Sequence, residues 1–312
     1  DALDCDDTDA SVNPDADEIC DGEDNDCDAS TSEDGMVSFD DLGTVTDLTA
    51  TLTGTSTAPA SYTTTADGFL TFCAGTFYVN LDIDGDVDVQ GISGDPTDVV
   101  LDGAATGPVL LFDDDGQTAT VSGVTITNGY NPGFGGGISC GASTGIDLEI
   151  TDTWLDGNEG YAGGAIGTQT CDITLDTVEM YDNTAGSAGA YMDFYGSLDA
   201  TDVEVYDNYG SSEVGGMFLA YGSGYILDEV AFDGNETTGP VCALGVESGS
   251  LIWTGSSTTS SGALSNVETY DYGGGLYLSN SEAELVGVDF GTNAVGDDNA
   301  TFDIYVNDVE FA

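Results

Sequence analysis

Asparagine recurs at positions 128, 158, 183, 208, 235, 266 and 293, at intervals of 25–31 residues. An alternating run precedes most of these positions: VTIT before Asn128, VEMYD before Asn183, VEVYD before Asn208. A glycine-rich turn and a second apolar run follow most of them, as in GFGGGISC, YAGGAIG, AGAYMDF, VGGMFLAY and YGGGLYL. A unit this short cannot bury its own apolar face, so it must stack on copies of itself. Two or three short strands per period predict an all-β chain, a right-handed parallel β-helix over residues 68–312 with roughly nine or ten coils. Coils stacked about 4.8 Å apart would make a rod on the order of 45 Å long. Asparagine is expected to turn the corner in the left-handed conformation, with its amide bonding the next rung. The glycines let the chain double back without a Cβ clash.

Within strands the two-residue period assigns faces. In LDIDGDVDV, residues Leu81, Ile83, Val87 and Val89 point inward, and Asp82, Asp84, Asp86 and Asp88 form an outward row able to attract cations. Asp182 and Asp207 precede asparagines in consecutive coils and are expected one rung apart.

The chain carries 59 acidic residues and no Lys, Arg or His, for a formal charge of −59. That balance excludes nucleic acid and anionic membrane surfaces as partners, since both are held by Lys and Arg. It favours divalent cations, basic partners or high salt, and zero basic residues is more extreme than salt adaptation requires. The chain is 40% hydrophobic, enough for a real core, so it is not a disordered acidic tail. No apolar run approaches the length of a membrane span. The chain opens with neither an initiator Met nor a signal peptide, which reads as a start at a processing site. The last residues, DIYVNDVEFA, read as a strand with no capping repeat after it, an open edge ready to pair with another chain.

Residues 1–35 form an acidic module. Fifteen carboxylates fall within the first 34 residues, and each close pair repels by about 1 kcal/mol at 4 Å even in water. An ordered segment of this kind calls for a cation. Asp7-x-Asp9-x-Ser11-x-Asn13-x-Asp15-x-x-Glu18 has the oxygen spacing of a 12-residue calcium loop. Val12 stands where such a loop needs glycine and Pro14 follows, which argues against an EF-hand turn and its flanking helices. Asp24-x-Asp26-x-Asp28 opens a second cluster, with Asp21, Glu33 and Asp34 nearby and Asp4 and Asp6 ahead of the first loop. Hard oxygen donors at this density point to Ca²⁺ as the cofactor. Residues 36–67, rich in Thr, Ser and Ala, read as a lead-in segment and the first strands of the rod.

Seven cysteines (5, 20, 27, 73, 140, 171 and 242) include no Cys-x₂₋₄-Cys pair of the kind structural zinc needs. Disulfides in an oxidising, extracellular setting are the better reading. Cys5 with Cys20 or Cys27 would close the module on itself, and Cys140 with Cys171 lie about one coil apart. The odd count leaves one thiol over.

The segments DCDDTDASVNP, EICDG and DNDCD resemble the MopE-type metal-binding motif of secreted bacterial proteins. That family's label mentions copper, but calcium chemistry suits these oxygens better and no His is present. From about residue 68, FCAGTFYVNLDI, GDPTDVVLDG, GVTITNG and NPGFGGGISC resemble the right-handed β-helix proteins of the pectin-lyase-like superfamily. The resemblance implies a solenoid fold and an extracellular location, and assigns no activity.

β-Helix enzymes that cleave or de-esterify acidic polysaccharides use Arg, Lys or His as base or clamp, and this chain has none of the three. No catalytic residue is assigned, and the expectation is a protein that is not an enzyme. A carbohydrate-binding or adhesive module is the alternative, with Tyr191, Tyr195, Tyr206, Phe218 and Tyr221 on adjacent coils as candidates for stacking on a surface polysaccharide. The leading expectation is an extracellular structural rod that pairs with itself, head to tail, into a filament.

Overall fold

The computed structural model describes residues 5, 8, 12–16, 18–28, 30–141, 144–222, 224–239, 241, 243–255, 257–259, 262–263, 274–290 and 304–307. Every regular element among them is a strand. The strands stack as a parallel β-helix with three main faces and a narrow fourth sheet.

The first face is a parallel ladder that starts at Gly68–Phe72, Val87–Gly91 and Thr118–Ser122. It continues through the first halves of Ile146–Asp156, Cys171–Tyr181 and Ser197–Tyr206 and ends at Glu282–Val286. The second face uses the second halves of the same three long strands, between Gly75–Asp82 at one end and Asp289–Phe290 at the other. The third face runs from Ala60–Thr63 to Ile304–Asn307. Parallel strands can be joined only by crossing over, so each strand bonds its equivalent one coil away.

Single left-handed residues make the bends between faces. Asp152, Thr177 and Asp202 have φ between 44° and 57°, each at the middle of a long strand, and Gly123, Glu229, Gly255 and Gly287 repeat the conformation at the same corner. One such residue redirects the chain while costing a rung only one pair of ladder bonds. The period-2 reading holds at the core: Leu81, Ile83, Val87 and Val89 are all buried. One continuous apolar cluster fills the rod and ends in the edge-to-face series Phe232, Trp253 and Phe290. Burying side chains of this size stabilises by about 1.5–3 kcal/mol each.

The asparagine corner differs from expectation in one respect. Asn158, Asn183, Asn208 and Asn235 stack fully buried, but the left-handed conformation belongs to the preceding residues Gly157, Asp182, Asp207 and Gly234. The asparagines themselves serve as internal wiring. Each of Asn158, Asn183 and Asn208 donates its backbone N–H and its Nδ2 to the Oδ1 of the next asparagine, at 2.9–3.1 Å. Nδ2 also donates to a strand carbonyl of the preceding coil, such as Leu155 O for Asn183 and Met180 O for Asn208. Asn128 is one position out of phase. It takes the left-handed place itself (φ 52°), and the following Gly129 N–H donates to Asn158 Oδ1. Asn266 and Asn293 lie outside the described residues. Asp182 and Asp207 sit one rung apart as expected, both at φ 54°.

About seven turns are regular, fewer than the nine or ten expected. At the N-terminal end the repeat shortens: Ala60 pairs with Val79 and Gly68 with Val87, a step of only 19 residues. There Gly75–Asp82 serves two faces, with Asn80 at the register of Asn158 and its Nδ2 donating to Pro108 O at 2.9 Å. The end of the first face is covered by Val37–Asp40, which runs antiparallel to Gly68–Phe72 and carries Val45–Asp47 antiparallel on its outer side. Cys140 and Cys171 join neighbouring coils through a disulfide, as the spacing suggested.

Candidate metal centre

The acidic module owes its local structure to alternate side chains that brace the backbone two residues ahead. Asn13 Oδ1 accepts from Asp15 N, Asp21 Oδ1 from Glu23 N, Asp26 Oδ1 from Asp28 N and Asp28 Oδ1 from Ser30 N, at 2.8–3.1 Å. These are Asx turns, favoured by the short polar side chains of Asp and Asn. The Asp-x-Asp spacing is therefore a turn-forming device as well as a donor array. Gly22 and Cys27 take the left-handed positions between the turns.

Buried Asn25 is the hub. Its Oδ1 accepts from Ile19 N, its Nδ2 donates to Asp21 Oδ2 at 3.2 Å, and its carbonyl accepts from Asn13 N at 2.8 Å. Around it the chain brings Glu18, Asp24 and Asp26 together, with one carboxylate oxygen from each within 4.8 Å of the others. Glu18 Oε1 also accepts from Asp26 N at 2.6 Å. Burial raises the Glu18 carboxyl above its usual range against the pull of that amide, and the charges of Asp26, Asp24 and Glu33 add to the rise. A cation among the three would reverse that tendency, because it favours the ionised form. The donors are all hard oxygens. The neighbouring sulfurs are closed in disulfides, so no thiolate competes for the ion.

The other candidates fall in different places. Glu33 Oε2 accepts from the backbone N–H of Asp21 and Gly22 at 3.1 and 3.0 Å, which ties the second cluster to the base of the module. Asp28 is held below its usual range by the Ser30 hydroxyl and amide and serves its own turn. Asp15 and Asp34 lie outside the three-carboxylate group. Asp4, Asp6, Asp7, Asp9 and Ser11 lie outside the described residues.

The disulfides close the module on itself and also bond it to the rod. Cys5 pairs with Cys27, closing the module on itself, but Cys20 pairs with Cys73 at the end of the first solenoid strand. Around this bridge Ser38 Oγ donates to Cys20 O, Gly35 N to Ala74 O and Cys73 N to Met36 O. The module is thus bonded covalently and by backbone contacts to the first coil. Cys242 lies outside the described residues.

A second carboxylate group lies on the rod itself, where Asp82, Asp84 and Asp113 also bring oxygens within 4.8 Å of one another. Burial, then the charge of Asp113, raises the Asp82 carboxyl. Asp84 is raised by burial and by Asp82, Asp114 and Asp113. Asp82 pairs with Leu111 across the coils, which sets Asp84 beside Asp113. The run FDDDG at 112–116 carried that signal, legible only once the pairing register is known.

The aromatic candidates divide. Tyr191 and Phe218 are buried, and Tyr206 stacks on Tyr181 with centroids 5.0 Å apart. Tyr195 and Tyr221 are exposed, stack on each other at 5.4 Å and both pack against Phe194 at 6.3 Å.

Comparison with known proteins agrees with the module. Residues 4–33 match the MopE-type family described as "Putative metal-binding motif". No curated protein and no solved structure matches the chain. What the fold and site define is a β-solenoid with an N-terminal metal-binding motif, tied by disulfides and without a helix long and apolar enough to cross a membrane among the described residues.

Proposed function

We propose that this chain is an extracellular structural protein: a calcium-stabilised β-solenoid subunit that joins copies of itself head to tail into a filament or surface fibre. The observation that carries the reading is the Glu18, Asp24 and Asp26 group, mounted on the first coil by the Cys20–Cys73 bridge. Three carboxylates supply part of the six to eight oxygens that Ca²⁺ takes. The Cys5–Cys27 bridge tethers the first loop next to them, and Cys5 Sγ lies 3.7 Å from Asp24 O. Asp7, Asp9 and Ser11 are proposed as further ligands.

Head-to-tail joining draws support from the uneven finish of the faces. The first face is covered by an antiparallel strand at its N-terminal end. The third face begins with Ala60–Thr63 and ends with Ile304–Asn307, each paired on one side among the described residues. Such edges accept strands from another chain, and a heterologous contact of this kind gives open fibres. Kinship with the pectin-lyase-like superfamily belongs to this reading and rests on the sequence stretches quoted above. So does the absence of enzymatic activity, for which the lack of any Lys, Arg or His is the support.

Chelation tests the proposal. Removing divalent ions with EGTA is expected to lower the melting temperature and shorten particles seen by electron microscopy, and Ca²⁺ is expected to restore both. Particle length and melting temperature that stay constant through chelation would rule it out.

A further inference from the structure

We propose that the groove along the fourth sheet is a binding site for a neutral oligosaccharide, independent of the metal centre. The sheet runs Tyr130–Phe134, Glu159–Ala162, Thr184–Ala185, Tyr209–Gly210, Glu236–Thr237 and Gly262–Ala263. In register, Tyr130, Glu159, Thr184 and Tyr209 form one outward column across four coils, about 4.8 Å apart. The next position on the strands, Gly160, Ala185 and Gly210, is buried and small, which lowers the floor beside the column. The result is an open groove of about 380 Å³, within the range of small-molecule sites.

Two features make the groove a built one. Tyr161 is 64% exposed, yet its ring lies across Gly186 of the next coil: a Cβ there would meet Tyr161 Cδ2 at 2.8 Å. Gly186 therefore leaves room for the ring to rest against the floor while most of it stays exposed. The wall beyond it is the irregular segment Tyr130–Phe134, pinned by Asn131, whose Oδ1 accepts from Gly133 N and whose Nδ2 donates to Phe134 O. At the far end Ser211 and Ser212 both donate to Gly186 O, at 3.0 and 2.6 Å. A surface locked before a ligand arrives loses little entropy on binding.

The chemistry selects the ligand. Tyrosine rings offer flat apolar faces with a hydroxyl at the rim, suited to the C–H face of a pyranose. Glu159, Thr184 and Asn131 supply acceptors and donors for ring hydroxyls. An anionic sugar meets a chain of charge −59 with no basic residue to hold it. An apolar ligand would leave those polar groups unpaired.

The test is calorimetric titration of the intact, Ca²⁺-supplied protein with three probes: the hexamers of β-1,4-glucose, β-1,4-mannose and N-acetylglucosamine. At least one is expected to bind with a submillimolar Kd. Tyr161→Ala is expected to weaken it about tenfold, Tyr161→Phe to retain it, and Ile252→Ala, at an exposed position on the first face, to leave it unchanged. Because Tyr161 is exposed, an unchanged melting temperature is expected to show that each variant is folded. The affinity is expected to hold between about 0.05 and 1 M NaCl, where screening suppresses ionic attraction. Absence of binding by all three hexamers, binding indifferent to Tyr161→Ala, or binding that collapses in salt would each overturn the proposal.

Discussion

The module and the rod face the same charge problem and solve it differently. In the module, Glu18, Asp24 and Asp26 converge on one small volume, and their oxygens are arranged to share a cation. On the first face of the rod, hydroxyls alternate with acidic residues along two columns, while a third column sets Asp147 directly opposite Asp172. Asp88, Thr120, Glu149, Thr174 and Asp199 follow one another across the coils, as do Thr151, Asp176, Thr201, Asp228 and Thr254. Thr120 Oγ1 donates to Asp88 and Thr254 Oγ1 to Asp228. Like charges directly opposite on neighbouring strands destabilise a sheet. Inserting a hydroxyl about doubles their separation along these two columns, and Asp88 and Asp228 each gain a donor from it.

The largest expected effect comes from breaking the joint between the two regions. The Cys20–Cys73 bridge spans 53 residues, a loop for which chain-entropy arguments give about 4 kcal/mol. In a Cys20→Ser/Cys73→Ser double variant, hydrogen exchange is expected to show the module opening while the solenoid amides stay protected. Loss of protection in both would mean that they fold as one unit.

A pH titration should separate the regions next. Asp193 is buried in the rod and accepts from the hydroxyls of Thr168 and Tyr225, at 2.5 and 2.8 Å, and from Gly196 N at 3.2 Å. Burial pushes its carboxyl up to about 6 despite those bonds, and the charge of Asp172 adds to the rise. The folded value lies above the unfolded one, so the ionised form is the penalised one. The cost is absent below about pH 4, grows as pH rises through 4–6 and is complete above, at about 3 kcal/mol. Urea unfolding of the rod is expected to become harder as pH falls from 7 to 4.5, and Asp193→Asn to flatten that slope. The module should respond in the opposite sense, because protonation of its carboxylates releases the ion. A rod that weakens over the same range would contradict the assignment.

The third effect is smaller and confined to the rod. Asn208→Ala removes the acceptor for Asn183 N and Nδ2 and leaves Met180 O without its donor. The expected loss is about 2–3 kcal/mol in urea unfolding, with the response of the module to metal ions unchanged. A change below about 0.5 kcal/mol would show that the ladder is not a stability element.

The rod was largely legible in the sequence because its signals are local and repeated. Leu81, Ile83, Val87 and Val89 face inward by simple alternation, and one coil of spacing was enough to pair Cys140 with Cys171. What could not be read was phase. Asn128 looks like its successors but stands one residue early, since no spacing reveals which neighbour takes the left-handed bend. The coil count was too high for a related reason: the first steps shorten to 19 residues, and Asn80, though in register with Asn158, stands outside the regular asparagine series. The candidate site was legible in composition and not in geometry. Fourteen oxygen-bearing residues were candidates, some by loop spacing and some only by being nearby, and only the fold singles out Glu18, Asp24 and Asp26 as the group that converges, Asp26 bracing a turn as well. Cys20 turned outward to Cys73 because pairing depends on where chain ends meet in space, which sequence distance does not encode.

The two long-range bridges also decide how the chain would carry tension. A pull entering at Cys5 reaches Cys20 through either side of the Cys5–Cys27 link and crosses directly to Cys73, so residues 28–72 bear none of it. The Cys140–Cys171 bridge likewise removes residues 141–170 from the load path. Together they withhold about 150 Å and about 100 Å of extensible chain. While the bridges stay oxidised, these two stretches cannot be drawn out along the line of pull, and reduction would turn them into slack.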